Sequence, residues 1–157
     1  AALLGGMDVK ERSAAVRPVD YCEMGQEAAV SDQGLDLRIA NGTDAKLFIT
    51  ARVYEQDDQH YLQIMLIGAE LGKRYALESG VEELPLIEEP VYVRDREGRY
   101  AAYTDERVPV SDALPGYTAV VERVTLDADG QEIGRETVSE NTYEPQAPMI
   151  YVGVQER

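Results

Sequence analysis

The sequence predicts a mainly β protein, a β-rich α+β class with a short N-terminal helix, an antiparallel β meander and then a second antiparallel β segment. Three observations carry this. Leu35, Leu37 and Ile39 alternate with Asp36 and Arg38, which is the period-2 pattern of a half-buried strand. Turn chemistry recurs at Asn41-Gly42-Thr43-Asp44 and at Asp127-Ala128-Asp129-Gly130, where Asn and Gly accept positive φ and Asp side chains satisfy nearby backbone N–H groups. Helical spacing is confined to Leu3, Leu4, Met7 and Val9, and strand signals dominate after residue 12.

Taken in order, residues 1–12 read as a short helix frayed by Gly5-Gly6, because each Gly costs a helix about 1 kcal/mol relative to Ala. Leu35 to Ile39, then Leu47, Ile49, Ala51 and Val53, then Tyr61 to Ile67 form three strands of a meander, with a second turn from Glu55 to His60. Leu84-Pro85 and Glu89-Pro90, among the acidic pairs Glu82-Glu83 and Glu88-Glu89, mark a change of segment. The expected organisation is therefore 1–71, a linker at 72–84, and 85–157. In the last part, Val91 to Val93 and Arg99 to Thr104 read as strands. Tyr117 to Leu126 and Gln131 to Ser139 form the clearest hairpin, and Met149 to Val152 a final strand.

Composition narrows the function classes. With 15 Lys plus Arg against 30 Asp plus Glu, the formal net charge is −15, so nucleic acid and anionic membrane faces are repelled. Hydrophobic residues at 44% and charged residues at 29% are those of a folding chain, long enough for one core or two small ones in series. No stretch has the ~18 to 20 apolar residues of a spanning helix. The opening has no initiator Met and no signal-peptide pattern, and reads as that of a fragment or processed form.

The reactive side chains form no known signature. Cys22 is alone, which excludes an internal disulfide, a CxxC pair and a zinc knuckle. As a nucleophile it needs a base, and His60 is the only imidazole; without a catalytic signature around it, Cys22 reads as a buried or half-buried thiol. His60 reads as a solvated turn residue. Asp127 to Gly130 has the wrong Gly spacing for a calcium loop, and the many carboxylates read as a soluble surface. No GxSxG, HExxH, Walker loop or dinucleotide fingerprint occurs, so no catalytic residue, metal ligand or cofactor is assigned.

The ordered series Ala1-Ala2-Leu3-Leu4-Gly5-Gly6-Met7-Asp8-Val9-Lys10-Glu11-Arg12, Arg17-Pro18-Val19-Asp20-Tyr21, Gly25-Gln26-Glu27-Ala28-Ala29-Val30 and Leu35-Asp36-Leu37-Arg38-Ile39-Ala40-Asn41-Gly42-Thr43 resembles the C-terminal half of the VanW-like family. Glu27 stands where that family usually has Asp, Cys22 where it has an apolar residue, and Lys46 where Pro is common. Ser13-Ala14-Ala15-Val16 replaces a segment that often carries His-Ser. The tail, through Leu114-Pro115-Gly116-Tyr117, Asp129-Gly130-Gln131-Glu132, Arg135-Glu136, Tyr143-Glu144-Pro145 and Val152-Gly153, is similar to the extracellular five-glycine domain family. These resemblances imply an exported bacterial cell-envelope protein of a type named for vancomycin-resistance clusters, with peptidoglycan, another wall glycan or an envelope protein as partner.

The expected function is a non-catalytic, envelope-associated module that binds wall polymer or a protein partner. Tyr92, Tyr100, Tyr103, Tyr117 and Tyr151 are the candidate binding residues, because a Tyr ring stacks on a sugar face while its hydroxyl hydrogen-bonds. Cross-strand packing is the competing reading of each. The alternatives are a fragment of a peptidoglycan-acting enzyme whose nucleophile lies upstream, and a spacer that only positions another domain.

Overall fold

The computed structural model describes residues 1–157 and contains ten strands and no helix. The strands are β1 (Asp8–Arg12), β2 (Leu37–Ala40), β3 (Phe48–Gln56), β4 (Gln59–Ile67), β5 (Arg74–Leu84), β6 (Val91–Asp95), β7 (Arg107–Ser111), β8 (Gly116–Leu126), β9 (Glu132–Tyr143) and β10 (Met149–Gly153). The chain divides into two units. The first holds residues 1–15, 19–80 and 120–140; the second holds 16–18, 81–119 and 141–157.

The expected N-terminal helix is absent. Residues 2–6 form tight turns instead, with the Gly5 N–H on the carbonyls of Ala1 and Ala2 at 2.9 and 3.1 Å and the Gly6 N–H on Leu3 at 3.2 Å. Gly6 then takes φ +71°, which ends any helical path, and a Cβ there would lie 2.7 Å from the Tyr75 ring. One turn fixes too few hydrogen bonds to sustain a helix, so the chain enters β1 at Asp8.

The expected meander is also replaced. β2 pairs antiparallel with β1, matching Val9 with Ile39 and Arg12 with Leu37 around a bulge, while β3 pairs only with β4. The turn after β2 explains the separation. Asn41 Nδ2 donates to the Ala45 carbonyl at 2.8 Å and Asn41 Oδ1 accepts from the Thr43 N–H at 3.1 Å, closing a loop that is longer than a two-residue hairpin connection. Such a loop leaves the next strand free to depart from the sheet. Between β3 and β4 the connection is tight: Asp57 and Asp58 sit at φ 53° and 59°, the left-handed pair that a type I′ hairpin turn requires. Nine unbroken pairs follow, from Gln56 and Gln59 to Phe48 and Ile67.

In the stretch read as a linker, Arg74–Leu84 forms β5, an edge of the sheet ordered β5-β8-β9. The expected β8–β9 hairpin is present. Its turn is closed by the Asp127 N–H on Gln131 O at 2.9 Å and by Asp127 Oδ1 accepting from Asp129 and Gln131, with Gly130 at φ +82°. Within the first unit, Arg135 of β9 ties the three strands together through Glu78 of β5 (2.5 Å), Glu122 of β8 (3.0 Å) and Glu132 (3.0 Å).

In the second unit the sheet order is β6-β10-β7, so the last strand is central. β10 runs parallel to β6 and antiparallel to β7, which makes this segment mixed rather than antiparallel as expected. β7 is not among the expected strands; its Pro109 is tolerated because β7 is an edge, where no ladder donor is needed. Arg99 to Thr104, expected as a strand, is instead turn and bridge, joined at Tyr103 to Gln155. Gly153 permits this approach, since a Cβ there would collide with the backbone of Ala102 and Tyr103.

The apolar interior is small: Met7, Val121 and Val124 in the first unit, and Ala101, Ala119 and Tyr143 in the second. A polar network supplements it in the first unit. Glu27, 2% exposed, accepts from the Gly25 N–H at 3.0 Å and the Ala15 N–H at 3.3 Å and lies 3.6 Å from Arg12. Arg12 donates to the carbonyls of Glu27 (2.6 Å) and Gly25 (2.9 Å), and Ser139 Oγ donates to Gly25 O at 2.9 Å. Removing one partner of a buried pair strands the other charge, so Glu27→Ala is expected to lower stability by about 3 to 5 kcal/mol. Urea unfolding of the variant beside the parent, and beside Glu27→Gln as a smaller loss, measures it.

Candidate functional site

The candidate tyrosines lie in the second unit, where the β6-β10-β7 sheet sets their directions. Residues directly opposite in a ladder share a face, and neighbours along a strand alternate. Tyr92 faces Ile150 and Pro109 across the sheet, and Arg94 faces Val152 and Arg107. These side chains therefore share one face. Tyr151 aligns with Val93 and Val108 and occupies the other. The register thus separates Tyr92 from Tyr151.

On the first face, Tyr92 is 59% exposed and the Arg107 guanidinium lies 5.9 Å from its ring centre. Arg107 is held by the carbonyls of Thr104 at 2.8 Å and Glu106 at 3.1 Å, which fixes its planar head without a carboxylate partner. Tyr92, Val93, Arg94, Arg107 and Val152 line an open hollow of about 300 Å³. An exposed ring with the Arg107 guanidinium over it and Arg94 lining the same hollow can stack on a flat apolar surface while the guanidinium groups donate hydrogen bonds beside it.

On the second face, Tyr151 stacks on Tyr100, with ring centres 4.9 Å apart and planes at 9°. Tyr100 is placed by Asp95, a buried carboxylate that accepts from the Tyr100 N–H at 2.6 Å and the Ala101 N–H at 3.1 Å. The bond from Tyr100, with further backbone N–H groups, pulls the Asp95 carboxyl below its ordinary titration range despite its burial. Tyr103 lies beneath the Arg157 guanidinium at 5.0 Å, and Arg157 also approaches Asp105 and Glu106. Tyr117 is half-buried on β8. Of the five candidates, only Tyr100 and Tyr151 are brought together. Arg94 and Arg107 went unnoticed in the sequence; Tyr92-x-Arg94 carried the same-face signal, whereas Arg107 reaches Tyr92 only across β10.

In the first unit, Cys22 and His60 line different hollows. Cys22 is half-buried in a hollow of about 180 Å³ with Leu3, Leu4, Val9, Arg12 and Leu77 among its walls. Burial first, and the nearby Glu27 and Glu23 charges next, push its thiol up from the usual range against the opposing pull of Arg12. This is an unactivated thiol. His60 is not in the turn but on β4, exposed, opposite Glu55. It lines a hollow of about 970 Å³ with Asp20, Tyr21, Gln59, Tyr61, Leu62 and Ile64. No group of three or more His, Cys, Asp or Glu side chains has metal-holding geometry.

Comparison with known proteins bears on the first unit. Residues 1–65 match the family model described as VanW like protein. The VanW-like match covers the N-terminal motif series and ends within β4. No curated protein matches the chain. Among solved structures, the IgA1 protease G5 domain is similar at 13% identity over 54% of this chain and 94% of that one, with a TM-score of 0.30. The HP0197-G5 crystal structure is similar at 15% identity over 51% and 99%, with a TM-score of 0.24.

Two predictions follow from these side chains. The folded pKa of Asp95 lies below its unfolded value, so its contribution is present above about pH 4 and is lost as pH falls through the folded pKa. Asp95→Asn is expected to remove that acid-dependent share of stability, seen as a flatter dependence of the urea midpoint below about pH 4. Cys22, with its raised pKa, is expected to be alkylated by iodoacetamide more slowly at pH 8 than a free cysteine, and to reach its maximal rate at higher pH.

Proposed function

We propose that the chain is a cell-envelope-associated, non-catalytic module of the VanW-like type that binds wall polymer through the Tyr92, Arg94 and Arg107 face of its second unit. In this reading residues 1–71 are the VanW-like part and 85–157 a five-glycine-like part, with the strand-forming stretch 72–84 between them in sequence, and the protein acts outside the cytoplasm. The observation that carries it is the exposed Tyr92 ring beside Arg107 and Arg94 over an open hollow. A pyranose ring presents an apolar face to an aromatic side chain, and its hydroxyl or acidic substituents accept from guanidinium donors. The net charge of −15 opposes an anionic polymer at a distance. At physiological salt screening acts over about 8 Å, so the local Arg pair governs contact once the polymer has docked. Tyr100 and Tyr151 form a second, already self-stacked pair on the opposite face, with Tyr100 60% exposed and able to offer its outer ring.

Co-sedimentation of the purified chain with peptidoglycan sacculi tests this. Saturable binding is expected to weaken about tenfold in Tyr92→Ala, consistent with losing roughly 1.4 kcal/mol, to weaken in Arg107→Ala and with added salt, and to persist in Tyr117→Phe. Binding indifferent to Tyr92, Arg107 and salt would remove the basis for the assignment.

A further inference from the structure

The β3–β4 hairpin departs from the rest of the chain in what it leaves uncovered. Its register puts Ile49 and Val53 of β3 beside Leu62 and Ile64 of β4 on one face, and these side chains are 58, 71, 63 and 48% exposed. The sheet has no third strand, so β4 is a nine-residue edge. Edges that stay free are protected by charges, Pro or bulges. β4 has none of them: its sequence QHYLQIMLI contains no Asp, Glu, Lys, Arg or Pro, and its register is unbroken. β3, the other edge, carries Arg52 and Glu55.

The hollow of about 970 Å³ lies along this edge. Gln59, His60, Tyr61 and Leu62 all line it, and because consecutive strand residues point to opposite faces, a space touched by all four runs beside the backbone rather than over one face. Asp20 and Tyr21 form the far wall, with Tyr21 74% exposed. From Gln59 to Ile64 the edge extends roughly 20 Å, the length of five or six added residues. Acidic charge dominates around it, while Arg52 of β3 is held by Gln63 at 2.8 Å, on the face away from Leu62 and Ile64. Asp20 is in the wall, and Glu55, Asp57 and Asp58 occupy the hairpin tip, with His60 the only cationic candidate among the lining residues.

We propose that the free edge of β4 is a strand-addition site for an extended peptide segment whose alternate residues are aliphatic and whose intervening residues include Lys or Arg. The peptide backbone pairs with the open N–H and C=O groups of β4, its aliphatic side chains cover Leu62 and Ile64 opposite Tyr21, and its cations meet Asp20 and the acidic tip. The site belongs to the first unit and does not depend on the wall-binding reading.

The test uses a fluorescein-labelled hexapeptide of alternating Lys and Val, read by anisotropy and by amide exchange of the whole chain. Saturable binding is expected, with new protection of amides in β4. An alternating Glu-Val peptide should bind at least tenfold more weakly, and a Lys-Val peptide N-methylated at alternate residues should not bind. Ile64→Lys and Leu62→Lys, at half-exposed positions, should each weaken binding at least tenfold while circular dichroism is unchanged. Three results would overturn the proposal: no saturable binding by the Lys-Val peptide, equal binding by the N-methylated peptide, or a dimer in light scattering that Ile64→Lys dissolves, which would make a second copy of the chain the occupant.

Discussion

A carboxylate withdrawn from water organises the irregular part of the first unit. Between Ser13 and Val30 the chain makes no strand, yet its polar groups cannot be left unsatisfied. Glu27 collects the N–H groups of Gly25 and Ala15, Arg12 collects the carbonyls of Gly25 and Glu27, and the Ala29 N–H reaches back to Ser13 O at 2.8 Å. Because Arg12 ends β1 and Ser139 belongs to β9, the same network fastens the coil to two strands. With only three large apolar side chains buried in this unit, these directional bonds hold one arrangement where a greasy core of that size would tolerate several.

The second unit relies on a different device. Its strand β10 lies between β6 and β7, so the tyrosine and arginine face exists only once β10 has been inserted. Two close backbone approaches make room. Gly153 passes against Ala102 and Tyr103, and Gly116 lies where a Cβ would meet Pro145 N and Tyr143 O at 2.6 Å. Asp95 then fixes the turn that carries Tyr100 by accepting two backbone N–H groups. A carboxylate bonded to the backbone of Tyr100, not to its ring, thus sets the ring's position.

Charge distribution links the two candidate surfaces. An excess of 15 negative charges makes the surface acidic on balance and opposes the approach of other copies. Against that background, the Arg94 and Arg107 pair and the uncharged edge of β4 are local exceptions of opposite kinds, one cationic and one apolar. A strongly acidic surface repels other copies while leaving both exceptions open to ligands of suitable chemistry.

The sequence by itself determined the β character, the hairpin at Asp127 to Gly130 and the direction of alternating side chains, because these depend on the chemistry of residues within a few positions of one another. The VanW-like motif series was legible as a family resemblance, and residues 1–65 match that family's model. Partner choice was not. Leu37 and Ile39 alternate identically whether β2 pairs with β3 or with β1. The five tyrosines showed the same limit, since alternation says that Tyr92 and Arg94 share a face but not that Arg107 arrives from across β10. Tertiary structure decided those matters, because pairing between distant strands is set by which loops can close and which edges remain available, quantities that no local pattern contains.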